Sequence, residues 1–329
     1  LSSFLQSIMT AYLVQPQNYK EFSERKLDEI KKKIKEQEFF SSDNLNNLCI
    51  YTTGSLARLE ATEKSDLDIF IIGEDADNYN YGKIDEIKIF SELIKINMEL
   101  KFPEFSNDGE FLKIFKYNEV EKIIGSPNDD HHNWFTARML LILESKCLYN
   151  EEKYNELIGR IIKFYLRDKS KKDFKLYFLL NDILRFWRTL CLNYEVSRTQ
   201  QKKWEKKNIS LKFSRRLTVF ATIIYICVFQ INSEDRLLEM IKKTPLDRLN
   251  ESIEKLSGNC KIQNLFSKFK DEYDNFLNLK EGYDSNQDDK SIISELRKLS
   301  NSDTFRELIS EILVNNGDID KHLKLFLIS

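Results

Sequence analysis

From Asn118 to its C-terminus this 329-residue chain carries helical periodicity and no convincing strand, so any β-sheet must come from the residues before that point. Apolar residues recur at helical spacing over about 134 to 147, 151 to 167, 172 to 195 and 207 to 231, with shorter stretches after. Gly 9 and Pro 4 are low counts for this length, and abundant Lys, Glu and Leu favour long helices over a turn-rich β architecture. With 41% hydrophobic residues the chain can fill one large core or two ordinary ones. We expect two domains in an α+β fold: a small mixed β-sheet domain with N-terminal helices over 1–117, then an all-helical domain over 118–329. The breaker Gly125-Ser126-Pro127-Asn128-Asp129-Asp130 marks the boundary region.

In the first part, residues 19 to 36 place Phe22, Leu27, Ile30 and Ile34 at amphipathic helical spacing among alternating Glu and Lys. LCIYTT (Leu48 to Thr53) is short and β-prone, Gly54-Ser55 breaks it, LARLEA suits a helical turn, and DLDIFII (Asp66 to Ile72) is β-prone again. Residues 84 to 98 return to helix. Leu100 to Phe105 and Glu110 to Phe115 read as strands joined by a hairpin turn at Ser106 to Gly109.

The chemistry lies in TTGSLARLEATEKSDLDIFII. Side chains alternate along a strand, so Asp66 and Asp68 point the same way while apolar neighbours anchor the segment. Two like charges that close call for compensation, and a divalent cation bridging a triphosphate supplies it. Gly54 and Ser55, in a turn opening a helix, offer backbone N–H groups and a small hydroxyl to phosphate. The competing structural reading makes Asp66 a strand cap, Asp68 a partner for a surface Lys, and Gly54-Ser55 an ordinary turn.

This ordered set of strand, Gly-Ser, helical turn and Asp-x-Asp resembles the DNA polymerase β-like nucleotidyltransferase superfamily, over roughly residues 45 to 116. The resemblance implies transfer of a nucleotide from a nucleoside triphosphate such as ATP, with two Mg2+ ions (Mn2+ as the alternative) held by Asp66, Asp68 and a third carboxylate. Glu104 is the candidate for that third ligand, with Glu99 and Asp108 competing. Arg58, one helical turn past Ser55, is a candidate phosphate contact. The acceptor is a nucleic acid, a protein or a tRNA. Stand-alone enzymes of this look occur in bacterial antiviral systems, including Hailong-type defence, where an effector partner would follow. A tyrosine of the N-terminal segment, Tyr12 or Tyr19, is a conceivable acceptor. A silent nucleotide-sensing module is the non-enzymatic alternative.

Charge is segregated: Lys171 to Arg216 carries a local excess of +9 although the chain totals −2. In FLLNDILRFWRTLCLNYE, Phe178, Ile183, Trp187 and Leu190 read as core while Asn181, Asp182, Arg185 and Arg188 form a polar stripe. KKWEKKNISLKFSRRL adds Lys206, Lys207, Lys212, Ser214, Arg215 and Arg216, suited to a triphosphate or a nucleic-acid backbone. From these, Arg188, Lys212 and Ser214 are selected as nucleotide-binding candidates with Gly54, Ser55 and Arg58; solvated helix faces are the plain alternative. FTARMLLILESKCLYNEEKYNELI resembles a helix of bacterial proteins related to the uridylyltransferases that modify regulatory proteins, which brings in Thr136, Arg138 and Glu144. Met139 to Leu143 reads first as a core helix.

Asp129-Asp130-His131-His132 invites a metal, yet an acidic helix start explains the aspartates equally well. Three His residues and five scattered Cys give no triad, Cys/His pair, disulfide framework or zinc knuckle. The longest apolar stretch, Leu217 to Ile231, is shorter than the ~20 residues that cross a bilayer. The N-terminal LSSFLQSIMTAYLV lacks a basic lead and a small-residue cleavage site and so does not read as a signal peptide, while the scattered cysteines make a reducing cytoplasm the expectation.

Overall fold

The computed structural model describes residues 19–75, 80–105, 112–131, 133–170, 174–199, 204–256, 258–286 and 289–317. Helix α1 (Tyr19–Glu36) buries Leu27, Ile30 and Ile34 as its spacing predicts. Strand β1 (Leu48–Thr52) runs antiparallel to β2 (Ile69–Gly73), from Leu48↔Gly73 to Thr52↔Ile69, and every residue of both strands is buried. Helix α2 (Lys83–Glu99) follows, then β3 (Ile114–Lys116), which pairs parallel with β2.

Strand alternation distributes the apolar side chains to two covered faces. Leu48, Ile50, Ile69, Ile71 and Ile114 pack with Leu27, Ile30 and Ile34 of α1 and with Ile89, Leu93 and Ile96 of α2. Cys49, Tyr51, Phe70, Ile72 and Phe115 turn the other way, into a core built with helices from later in the chain. The chain continues through α3 (Tyr117–Ile123), α4 (Pro127–His131), α5 (Trp134–Leu143), α6 (Glu151–Tyr165), α7 (Tyr177–Thr199) and α8 (Trp204–Ser210), of which α3, α5, α6 and α7 contribute to that core. A five-residue π segment (Leu211–Arg215) joins α8 to α9 (Arg216–Val228), after which come α10 (Glu234–Lys242) and α11 (Pro245–Lys255). The last helices, α12 (Cys260–Ser285), α13 (Lys290–Ser300) and α14 (Thr304–Asn315), form a further core around Phe269, Tyr273, Phe276, Phe305 and Leu308. The architecture is thus a small mixed sheet followed by a mostly helical region, as expected.

Two expectations need correction. The helical half supplies a strand: β4 (Lys146–Tyr149) pairs antiparallel with β1, completing the order β3-β2-β1-β4. Four residues directly after the apolar run of α5 give no period of their own, which hides the strand. The boundary expected at 117/118 therefore falls within the sheet's sequence, with β4 on its far side. Second, residues 102–105 form no strand, and β3 takes β2 as its partner. Phe102 and Phe105 instead anchor a loop on the core beside Leu100, and the Asn97 amide donates to the Pro103 carbonyl at 2.9 Å. The turn at Ser106 to Gly109 lies outside the described residues.

Candidate active site

Between β1 and β2 the chain leaves the sheet through a single helical turn, Gly54–Ala57. Gly54 has φ +70, a left-handed conformation that favours glycine. A second constraint is steric: a Cβ at this position would lie 2.2 Å from Oδ2 of Asp68. The Asp68 carboxylate therefore rests directly against the Gly54 backbone. It is held there from behind, because the Asp68 carbonyl accepts hydrogen bonds from the Thr53 N–H (3.0 Å) and the Thr52 hydroxyl (2.8 Å). Ser55, in the first turn, is buried, and its carbonyl accepts the N–H of Glu60 at 2.8 Å.

Asp66 and Asp68 immediately precede β2 and are half-buried. Asp68 stands two residues before Phe70, so continued alternation turns it to the face of Phe70 and Ile72, toward the helices. It borders a cavity of about 550 Å³ that reaches from Thr53 and Asp68 to α7 and the π segment. Phe105, Leu140, Phe186 and Leu190 give this space apolar walls, while Thr136, Asn193, Tyr194, Lys207 and Arg215 add polar groups. That volume and mixed lining suit a nucleoside-sized ligand.

Burial, with Asp66 next in weight, pushes the Asp68 carboxyl up to about 6, against the opposing pull of Arg215 and Arg58. Such a pair of hard oxygen donors in a partly desolvated site suits Mg2+ or Mn2+. Among the described residues no group of three or more His, Cys, Asp or Glu is placed to hold a metal. Of the third-carboxylate candidates, Glu104 is exposed on the loop after α2, beside the cavity-lining Phe105. Glu99 pairs with Lys33 at 2.8 Å on the outer surface, and Asp108 lies outside the described residues.

The remaining candidates separate sharply. Arg58 is buried, and its guanidinium donates to Glu60 (2.9 Å) and Glu144 (2.8 Å) rather than facing the cavity. Ser214 is buried against Glu60 and Tyr273, both at 3.2 Å. Lys212 donates to the Ser300 carbonyl, and Arg188 is exposed; neither lines the cavity. Arg215 and Lys207, from the same basic run, do line it. Thr136 also lines the cavity, and Glu144 is buried between Arg58 and Arg215. The π segment widens one helical turn, and no 3.6-residue reading of the sequence separates Arg215 from Lys212 across it.

Asp129 and Asp130 are engaged by arginines. Asp129, fully buried, takes a two-pronged pair of hydrogen bonds from Arg138 (2.8 and 2.8 Å), and Asp130 pairs with Arg185 at 2.8 Å. Arg138 also reaches Asp182 and the Tyr165 hydroxyl, so this cluster ties α4, α5, α6 and α7 together.

No helix among the described residues is long and apolar enough to cross a membrane. Comparison with curated proteins and with solved structures gives no match. A family comparison does: residues 27–124 match the nucleotidyltransferase domain, a span that contains the Gly54–Ser55 turn, both aspartates and three of the four strands. Over residues 27–124 the chain is therefore similar to a nucleotidyltransferase domain, consistent with the polymerase β-like resemblance of its Gly-Ser and Asp-x-Asp motif.

Proposed function

We propose that the protein transfers a nucleotide from a nucleoside triphosphate to an acceptor hydroxyl with release of pyrophosphate, using Asp66 and Asp68 as the ligands for Mg2+. The observation that carries this reading is the Asp68 carboxylate seated on Gly54 at the mouth of a nucleoside-sized cavity. Asp66 and Asp68 would hold the metal, and the chemistry it would supply there is neutralisation of triphosphate charge.

The protein's own groups do the rest. The Gly54–Ser55 turn presents backbone N–H groups and the Ser55 hydroxyl to the phosphates. Arg215, which lines the same cavity as Asp68, would set a fixed positive charge beside the negative charge that builds on the leaving pyrophosphate. The cavity takes the nucleoside between Phe186 and Leu190 on α7 and Phe105 and Leu140 across from them, orienting the α-phosphorus. The acceptor oxygen bonds to that phosphorus as the bridge to the β-phosphate breaks, and the hydroxyl proton passes to a carboxylate, for which Glu104 is the candidate.

The +9 excess from Lys171 to Arg216 favours a polynucleotide acceptor, and an oligonucleotide product in antiviral defence extends this reading by family resemblance. Incubation with each ribo- and deoxyribonucleoside triphosphate plus Mg2+, with products resolved by mass, tests it. We expect pyrophosphate release from the wild type, abolished in Asp66→Ala/Asp68→Ala. A ladder of products identifies polymerisation, and a single added nucleotide identifies modification of a protein or tRNA. Release that survives loss of both aspartates would sink the proposal.

A further inference from the structure

We infer that Glu144 is a positioning residue of this site, acting through Arg215 on one side and through Arg58 on the other; the inference rests on the nucleotidyltransferase reading. Glu144 closes α5, and its carboxylate is wholly sealed from solvent. One oxygen accepts from Arg215 at 2.5 Å; the other accepts from Arg58 at 2.8 Å and from the Thr218 hydroxyl at 2.9 Å. Arg58 stands at the end of the Gly54–Ala57 turn, with its N–H on the Gly54 carbonyl at 3.1 Å. Its Nε holds Glu60, which also accepts from Ser214 and Tyr273. A continuous chain of charged hydrogen bonds thus runs from the Ser55 turn through Glu144 to the π segment.

Stability alone is a poor account of this carboxylate. It sits at the C-terminal end of a helix, where the helix dipole disfavours negative charge. Burying charge is costly, and buried ion pairs are frequently no better for stability than apolar packing. What the arrangement does achieve is geometric. Arg58 is 5% exposed at its side chain, whereas Arg215 is 31% exposed and lines the cavity near Asp68. Arg215 is thus the open end of an otherwise sealed network. Glu144 takes part of its guanidinium fork, which fixes the direction of the remaining N–H donors. The same carboxylate sets Arg58, and with it the turn that carries Ser55. Both walls of the phosphate site are therefore referenced to one side chain.

The test is a double-mutant cycle on binding, read by calorimetry with an α,β-methylene nucleoside triphosphate and Mg2+, so that no turnover is needed. Arg215→Ala and Glu144→Gln should each weaken binding at least 10-fold and lower the preference for triphosphate over monophosphate. The double variant should bind more weakly than Arg215→Ala but lose clearly less than the product of the two single losses, because one arm of Glu144 runs through Arg215 and the other reaches the Ser55 turn through Arg58. Losses that multiply, or a Glu144→Gln protein with wild-type affinity, would overturn the assignment while leaving the nucleotidyltransferase reading intact. A wild type that binds no triphosphate overturns both. If Glu144→Gln does not fold, Arg215→Lys decides: an ammonium lacks the planar fork that serves Glu144 and a phosphate together, so it should recover only a small part of the lost affinity. Full recovery by lysine would overturn the role of Glu144.

Discussion

Gly54 and Asp68 define each other's position. A Cβ on Gly54 would collide with Oδ2 of Asp68 in a backbone conformation already unfavourable for L residues. Gly54→Ala should therefore displace the carboxylate and cut nucleotidyl transfer at least 100-fold, with a stability loss of roughly 1–3 kcal/mol; turnover and thermal melting measure the two. Asp68 itself gives a signed pH prediction. Its folded-state carboxyl, raised from 3.8 to about 6, holds a proton that the unfolded chain has already released. Stability from this group is complete below about pH 4 and is lost as pH rises through 6, by roughly 1–3 kcal/mol in the metal-free protein. Asp68→Asn should remove that loss, so its melting temperature relative to wild type should be higher at pH 7.5 than at pH 4.5. An offset independent of pH would contradict the assigned environment. The approach of Asp68 to the Gly54–Ser55 turn was legible in the sequence because a short turn and strand alternation bring them together. Arg215 and Glu144 lie far along the chain, and only packing joins them to the site.

At the scale of elements, arginines finish what helix termini leave undone. Arg248 on α11 is fully buried and donates to the Met240 carbonyl (2.9 Å) and Ile241 carbonyl (3.4 Å) at the end of α10. One further nitrogen serves both the Leu143 carbonyl at the end of α5 and the Thr222 hydroxyl, each at 2.8 Å. It thereby caps two helix C-termini, where positive charge is favoured. Burial pushes its guanidinium down to about 10, with Glu144 the largest opposing influence. Arg248→Met should leave buried carbonyls unsatisfied and cost about 3–5 kcal/mol, measured by urea unfolding. Nothing in PLDRLNESIEK distinguishes this arginine from a solvated one, because the carbonyls it serves lie on other helices. Long helices such as α1 and α7 were legible from their periodicity. Strand β4 was not, because edge pairing to β1 is decided by the sheet and not by four residues of sequence.

For the whole molecule, the interlock of sheet and helices sets what can fold alone. A fragment ending at residue 117 would lack β4 and would leave Cys49, Tyr51, Phe70, Ile72 and Phe115 without the helices they pack against. We expect that fragment to remain unfolded, checked by far-UV circular dichroism and the dispersion of its NMR spectrum; a cooperative native-like transition would refute this. The sequence by itself determined the fold class, the helical bulk of the chain and the Gly-Ser turn that Asp68 rests on. Hydrophobic periodicity and a compact turn motif are local properties, and they survive in one dimension. Tertiary structure alone decided that Arg58 is buried on Glu60 and Glu144, that Arg215 and not Lys212 lines the cavity, and that Glu144 joins the two arginines. A charged side chain gains its role from the partner that compensates its desolvation, and that partner is brought near only when distant segments pack.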